Sequence, residues 1–527
     1  MSFDGSSRKR QRTSDLVHGD REDPLTRVWL RRLCDAGSAI PRPALEQLRR
    51  AEILGLRARF DTRYADVCKE VGKEETARQA PRESFNKWLM ERLNGNGMDP
   101  LWGGDHSKFQ VSGSAEEADA ALCRRLCRVL LPGLDAETAA TAESRVRRIC
   151  CQLTSEAAAA AKSLHGKLKA ECSSTVSATF DTRRGCYLFT LPGSPDSPAI
   201  ANACSDSEGS GESANEPGGS SEAFAISPSA LARLAKLLRK AAKRAKAMAD
   251  DADVEGRHGR SDLASSITFL QEESTFWNLT YCTLCRYDAL FGPGHKEGGG
   301  LHAAVPDEVF VALERESLGK LECFASPLLC QKTWHFCSIF KDLDVFFGSL
   351  GPFLEEDLDI GTMGGVYEVN PPFVRGLVLR LAKKLRAAFE SAVQHKKVLH
   401  VFLVLPGLPE NRTEEEHALE ELLQSRFKVA ISERRRRAFT NGLAFKTDHV
   451  WPLFAVSTTV ALLTSQPDSL GQLAEQFDGI CRLWGEVDAG DEKGLGRRPG
   501  RGCQLSMTGA SGFTCFRGCL VAGRSFG

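Results

Sequence analysis

The alternation of short apolar runs with amphipathic stretches between residues 265 and 467 constrains the fold most strongly. Val398–Leu405 is a near-continuous apolar run, which is typical of a central strand buried on both faces of a sheet. Further strands are predicted at Leu321–Ala325, Asp344–Gly348, Gly365–Val369 and Val456–Leu463. The order of strands and helices predicts an α/β domain with a largely parallel sheet.

Composition divides the rest of the 527-residue chain. Apolar spacing of three and four predicts helices over most of residues 24–172, and a stretch rich in Ser and Gly follows residue 192. We therefore predict six segments: a disordered basic tail (1–23), a helical domain (24–192), a disordered insertion (193–222), a basic helix and linker (223–264), the α/β domain (265–486) and a disordered tail (487–527).

Charge and targeting signals leave several alternatives open. The chain has 69 basic and 69 acidic residues, so any nucleic-acid surface must be local. The cluster Arg8–Arg12 indicates nuclear import, with a solvated charge run and a cytoplasmic protein as the alternative. The basic helix at 227–249 is either RNA-facing or simply solvated. No apolar stretch is long enough to span a membrane, so we expect no membrane partner.

The sequence does not favour a metal centre or hydrolase chemistry. The eighteen cysteines are best explained as reduced thiols, since pairs such as Cys123/Cys127 and Cys282/Cys285 have no second pair at zinc-ligand spacing. The histidines likewise lack ligand spacing, so no metal is predicted. No nucleophile elbow or Walker lysine motif is present, which argues against hydrolases and nucleoside triphosphatases.

The turn Asn370-Pro371-Pro372-Phe373 carries the most specific chemistry. It lies between a predicted strand and an amphipathic helix. The Asn370 side-chain oxygen and the Pro371 carbonyl can both accept hydrogen bonds from the exocyclic amine of adenine. These bonds would localise the nitrogen lone pair, and Phe373 offers a face for a purine. A rigid proline turn entering a helix is the structural alternative.

Three stretches around this turn resemble the phosphorylated CTD-interacting factor family. They are Cys323–Leu328, Phe347–Phe353 and Tyr367–Phe373. The resemblance implies a Rossmann-like class I methyltransferase domain packed on an N-terminal helical domain. It also implies methyl transfer from S-adenosylmethionine to N6 of the 2′-O-methyladenosine beside the cap of mRNA.

Residue roles follow from that resemblance. Asn370, Pro371, Pro372 and Phe373 would form the catalytic turn. The donor pocket would comprise Phe324, Ala325, Ser326, Pro327, Phe347, Gly348, Ser349 and Glu368. RNA or cap contacts are expected from Arg286, Tyr287, Arg434, Arg435 and Lys446.

Two departures from the family pattern keep other functions open. Leu329 stands where the family has Asn, and Leu350 stands where it has Arg. The alternatives are therefore an adenine-N6 methyltransferase on internal RNA or DNA and a catalytically silent RNA-binding adaptor. The N-terminal tail shows no WW domain, so we expect this chain to lack that domain, which puts binding to the RNA polymerase II tail in doubt.

Overall fold

A computed structural model describes fourteen stretches of the chain. They are residues 23–36, 41–96, 113–167, 176–191, 223–249, 266–292, 301–314, 320–331, 333–355, 357–372, 374–406, 414–446, 453–466 and 470–484. All belong to one unit, Met1–Glu486. The predicted insertion at 193–222 and the tail at 487–527 lie outside the described residues, as does Arg8–Arg12.

The N-terminal part is helical, as predicted. Its helices are α1 (Pro24–Ala36), α2 (Pro43–Glu70), α3 (Thr76–Asn96), α4 (Gly113–Leu130) and α5 (Ala136–Lys167). Pro43 occupies the first turn of α2, where its missing N–H costs nothing. Asp135 begins α5, because its carboxylate accepts from the N–H groups of Glu137 and Thr138 at 3.1 and 3.0 Å.

A small antiparallel sheet follows. Strands β1 (Ser177–Asp181) and β2 (Cys186–Thr190) form the predicted hairpin, and β3 (Phe224–Ile226) adds to β2. Its turn needs Gly185, whose φ is +63°. Helix α6 (Pro228–Ala249) comes directly after β3 and matches the predicted basic helix within one residue.

Helix α7 (Glu273–Phe291) joins the helical part to the α/β part. It packs on α2, and its aromatic rings contact the small sheet. The Trp277 ring centroid lies 5.7 Å from that of Phe189, and the Tyr281 centroid lies 5.4 Å from that of Phe224. One hydrophobic core therefore runs from α1 through α7 into the large sheet. The predicted domain boundaries stay predictions.

The large sheet has six strands among the described residues, in the order β5-β4-β6-β7-β9-β8. The strands are β4 (Lys320–Ala325), β5 (His335–Ser338), β6 (Gly365–Val369), β7 (Leu399–Pro406), β8 (Lys428–Phe439) and β9 (Leu453–Thr464). Strands β5, β4, β6 and β7 are parallel, and β9 runs antiparallel between β7 and β8. The sheet is therefore mixed.

Helices cover both faces of this sheet. The connecting helices are α8 (Asp307–Leu313), α9 (Lys341–Asp344), α10 (Ile360–Met363), α11 (Arg375–Gln394), α12 (Glu414–Leu423) and α13 (Leu470–Trp484). Val366 and Phe402 face α8 and α13, whereas Tyr367 and Val401 face the core shared with the N-terminal helices. Burial on both faces explains the continuous apolar run in β7.

One predicted strand is not a strand, and two strands of the sheet were not predicted. Asp344–Gly348 is not a strand, since Val345–Phe347 is a buried 3₁₀ turn that ends at Gly348 with φ +96°. An apolar run of three residues suits either structure, so periodicity could not separate them. Strand β5 has only four residues, and β8 carries four arginines, which disguised it as a loop.

Cysteines in the described residues are free thiols. Cys282 and Cys285 are buried in α7, and burial raises the pKa of both well above the usual range. No described helix is long and apolar enough to cross a bilayer.

Candidate active site

The carboxyl ends of β4 and β6 form a topological switch point. From β4 the chain continues to β5 on one side, whereas β6 and β7 lie on the other. In open α/β sheets a ligand crevice opens beyond the strand ends at such a point. Ala325–Pro327 leaves β4 there and Asn370–Pro372 leaves β6, so the fold brings the predicted donor and catalytic segments to adjacent strand ends.

Asn370 has a defined orientation at this edge. Its side chain is 9% exposed, and Nδ2 donates to the Ala303 carbonyl at 3.2 Å. This hydrogen bond fixes the orientation of the side-chain amide. Oδ1 is the acceptor atom of that amide and can accept a hydrogen bond from a target amine. The Pro372 carbonyl accepts from the Val374 N–H at 2.7 Å, which tightens the turn into α11. Phe373 lies outside the described residues.

The donor segment after β4 is partly open. Phe324 and Ala325 are half-buried, and the Phe324 ring packs edge-on against Phe353 with a centroid distance of 5.6 Å. Ser326 and Pro327 are buried.

The predicted donor residues after β5 divide into one accessible glycine and two buried side chains. Phe347 is 1% exposed and packs in the core. The Ser349 hydroxyl lies 2.7 Å from that of Ser338, and it accepts from the Gly351 N–H at 3.0 Å. Gly348 is half-buried. The side chains of Phe347 and Ser349 hold the turn, and a donor contact by these residues stays a prediction.

Residues 301–305 cross both strand ends, a feature that sequence analysis missed. Ala303 accepts from Asn370, and His302 Nε2 lies 2.7 Å from Ser326 Oγ. The His302 ring stacks on Phe291 with a centroid distance of 4.8 Å. Nothing in the local sequence distinguishes His302, because its partners come from α7 and β4. We call residues 301–305 the strap.

Two glutamates on neighbouring strands carry the most unusual electrostatics of the site. Glu322 in β4 is paired in register with Glu368 in β6, and they are 3% and 1% exposed. Burial raises the pKa of Glu322 to about 8, although the Gln331 N–H hydrogen bond lowers it. Burial, and next the neighbouring Glu322, raise the pKa of Glu368 well above its usual range. The pair therefore retains protons at neutral pH.

Arg286 and Tyr287 are built into the interior. The Arg286 guanidinium contacts Glu46 of α2 and donates to both Asp342 oxygens at 2.6 and 2.7 Å. Tyr287 donates to Asp344 Oδ2 at 2.8 Å, and its ring stacks on His302. These contacts place Tyr287 against the strap and Arg286 between the helical part and the α/β part. Contact of either residue with RNA stays a prediction.

The arginine run lies in strand β8 and not in a loop. Arg434 and Arg435 have a described backbone but no described side chain. Arg437 is buried, donates to the Cys481 carbonyl at 3.1 Å and lies over the Trp484 ring. Lys446 is half-buried, with Nζ 5.9 Å from the centroid of Phe445. Part of this arginine run therefore contributes to strand pairing and to packing against α13.

A separate cavity of about 790 Å³ lies between β8 and α13. Its lining residues are Ile431, Ser432, Glu433, Phe477, Asp478, Cys481 and Arg482. It contains none of the predicted site residues. We favour the switch point as the reactive site, because the polar groups with specific chemistry converge there.

Comparison with known proteins supports the resemblance. The family model described as the phosphorylated CTD interacting factor 1 WW domain matches residues 262–441. This stretch includes α7, β4 to β8 and the Asn370 turn. The expectation that the chain lacks the WW domain is wrong by this match, and the doubt about binding to the polymerase tail loses its basis.

Two curated relatives align with part of the chain. The human protein named mRNA (2'-O-methyladenosine-N(6)-)-methyltransferase is 39% identical over 148 residues, which are 28% of this chain and 20% of the relative. The mouse protein of the same name is 38% identical over 148 residues, 28% of this chain and 19% of the relative. The aligned region spans about a fifth of the curated relatives' length.

Proposed function

We propose that this protein transfers a methyl group to N6 of the 2′-O-methyladenosine beside the mRNA cap. The observation that carries the proposal is the oriented Asn370 amide, held by Ala303 at the carboxyl end of β6 and beside the carboxyl end of β4. The names of the human and mouse relatives support the same reaction. Capped mRNA is accordingly the proposed partner.

The sheet supports a Rossmann-like methyltransferase domain. Four parallel strands, with the order reversed between β4 and β6, create the crevice that such domains use for their cofactor. The half-buried residues Phe324 and Ala325 at the end of β4 lie where the adenosine part of S-adenosylmethionine is proposed to bind. When bound there, this donor supplies an electrophilic methyl group on a sulfonium.

The residues of this chain act on the target amine. Asn370 Oδ1 accepts one amine hydrogen and the Pro371 carbonyl accepts the other, so the nitrogen lone pair points out of the purine plane. Ala303 fixes the Asn370 amide before substrate arrives, which removes a reorganisation step from the reaction. Phe373 is proposed to stack on the base. The strap would exclude water from this edge.

The test of this mechanism is Asn370→Ala. We expect methyl transfer to capped RNA to fall at least about a hundredfold, since an oriented acceptor in the transition state is lost. Nucleoside mass spectrometry measures the product, and circular dichroism with thermal unfolding checks that the variant remains folded. Asn278→Ala removes a half-buried amide from α7 and is the matched control. Full activity of the Asn370 variant would overturn the proposal.

Substrate choice needs a second comparison. RNA that begins with 2′-O-methyladenosine is offered with and without a cap, and a third RNA carries only internal adenosines. We expect methylation of the capped RNA alone. Equal rates on the uncapped or internal sites would favour the more general adenine-N6 methyltransferase.

The alternative of a silent adaptor rests on two leucines. Leu350 is fully buried and Leu329 is 9% exposed, so both contribute to packing where the family pattern has polar side chains. Calorimetric titration with S-adenosylmethionine separates the two functions. We expect donor binding, whereas an adaptor without binding to the donor would show no heat.

We also propose a nuclear protein, on the basis of the Arg8–Arg12 cluster and the mRNA substrate. Imaging of the full chain before and after Arg8→Ala, Lys9→Ala and Arg10→Ala tests this. If the nuclear signal is unchanged in this variant, the Arg8–Arg12 cluster does not explain nuclear localisation.

A further inference from the structure

Helix α6 has a strongly one-sided charge distribution. Its sequence from Pro228 to Ala249 contains no acidic residue. The buried face is apolar and includes Leu231, Leu234 and Leu238. The helix therefore presents only positive charge wherever its polar side chains reach solvent.

Four exposed cations form a stripe on this helix. Lys236, Arg239, Lys243 and Lys246 are exposed, and their spacings of three, four and three residues place them on one face. The stripe extends over about 15 Å at a rise of 1.5 Å per residue. Successive cations are separated by roughly 4.5 to 6 Å along the helix axis.

The start of α6 is attached to the candidate active site. The Ser227 N–H donates to the Phe445 carbonyl at 2.7 Å, just beyond the end of β8. Six residues later, Arg233 Nη1 donates to the Leu328 carbonyl at 3.0 Å, two residues after Ser326. The stripe begins three residues after Arg233, so it leads away from the strand ends where the target adenosine is proposed to bind.

We propose that this stripe, Lys236, Arg239, Lys243 and Lys246, binds the phosphates of RNA nucleotides beyond the methylated adenosine. The inference rests on the proposed function and adds a surface to it. Regularly spaced cations without an intervening acid fit a repeating phosphate backbone and read no base sequence. A phosphorylated peptide would not need proximity to the active site.

The test neutralises the stripe with K236Q/R239Q/K243Q/K246Q, because glutamine keeps helix propensity and chain length. Binding of a capped RNA of about 20 nucleotides is measured by fluorescence anisotropy over a salt series. We expect the slope of log K against log salt to become shallower by about 0.7 per lost contact, or about 3 in total. The KM for this RNA should rise while kcat stays the same.

A short substrate and a matched variant complete the design. A capped dinucleotide does not reach the stripe, so its kcat/KM should be equal in both proteins. The control R145Q/R147Q/R148Q/K162Q removes four exposed cations from α5 and should leave the slope unchanged.

The outcomes separate this inference from the proposed function. An unchanged slope in the α6 variant overturns the stripe, whatever the activity. The proposal is also overturned if the α6 variant binds RNA normally but no longer binds a phosphorylated polymerase-tail peptide. The stripe would then be a peptide-binding surface. A further outcome is that the unsubstituted protein binds RNA without methylating it. If the α6 variant then loses the salt-dependent part of RNA binding and the α5 control does not, the proposal for the stripe holds and the proposed function fails.

Discussion

Two polar clusters in the interior are built in opposite ways. In the first, Arg286 of α7 lies between the carboxylates of Glu46 and Asp342, so that charge is compensated. In the second, Glu322 and Glu368 face each other across β4 and β6, and Glu368 Oε1 has no hydrogen-bond partner among the described residues. The first cluster joins two parts of the fold, whereas the second lies beside the candidate active site.

The difference shows how burial acts on charge. Burial alone raises the pKa of Asp342, but Arg286 overcomes it and the pKa lies below the usual range. Burial also dominates at Glu322, where the Gln331 hydrogen bond and the charge of Arg233 lower the pKa less than burial raises it, so the pKa rises to about 8. A compensated cluster should therefore contribute to stability over a wide pH range, and an uncompensated pair should make stability depend on pH.

The largest effect is expected from Arg286→Met. Among the described residues, this change leaves the buried Glu46 carboxylate with the longer Arg49 contact of 3.4 Å. We expect the free energy of unfolding to fall by about 3 kcal/mol, as measured by urea denaturation. The double variant with Glu46→Gln should recover part of the loss, because the uncompensated carboxylate is then gone. A loss below about 1 kcal/mol would show that the cluster is not a structural link.

An effect on the slope of stability against pH, with a definite sign, is expected from Glu322→Gln. Between pH 4.5 and about 8 the folded protein keeps a proton that the unfolded chain has released, so stability falls as pH rises. One such proton gives at most about 1.4 kcal/mol per pH unit. Glutamine should flatten the dependence of the melting temperature on pH. An unchanged slope would contradict proton retention by the pair.

The smallest effect is expected from a surface ion pair. Arg386 and Glu421 are separated by 3.0 Å, with side chains 45% and 63% exposed. Arg386→Ala should change the free energy of unfolding by less than about 1 kcal/mol, and high salt should remove the difference. A larger cost would contradict the expectation that an exposed ion pair contributes less to stability than the buried contacts of Arg286.

Sequence reasoning succeeded where the information is local. The Asn370 turn follows an apolar strand and precedes an amphipathic helix, so its place at a strand end followed from neighbouring residues. Strands β4, β6, β7 and β9 were predicted for the same reason. The catalytic role of the turn stays a prediction.

Sequence reasoning failed where the partners are distant. Glu322 and Glu368 become neighbours only through parallel pairing of β4 with β6, and His302 reaches Ser326 only because the strap crosses both strand ends. Arg286 resembles an accessible cation in the sequence, yet its partner Glu46 is 240 residues away. Such pairs depend on topology, which periodicity does not specify.

The link through α7 has a practical consequence for dissecting this protein. A fragment that began at residue 265 would keep Arg286 but lose Glu46, along with the Trp29 indole that donates to the Val345 carbonyl at 2.9 Å. The apolar surface that α2 covers on α7 would face water. Genetic truncation would thus yield an aggregating polypeptide, so each part of the molecule is best probed by point substitution within the full chain.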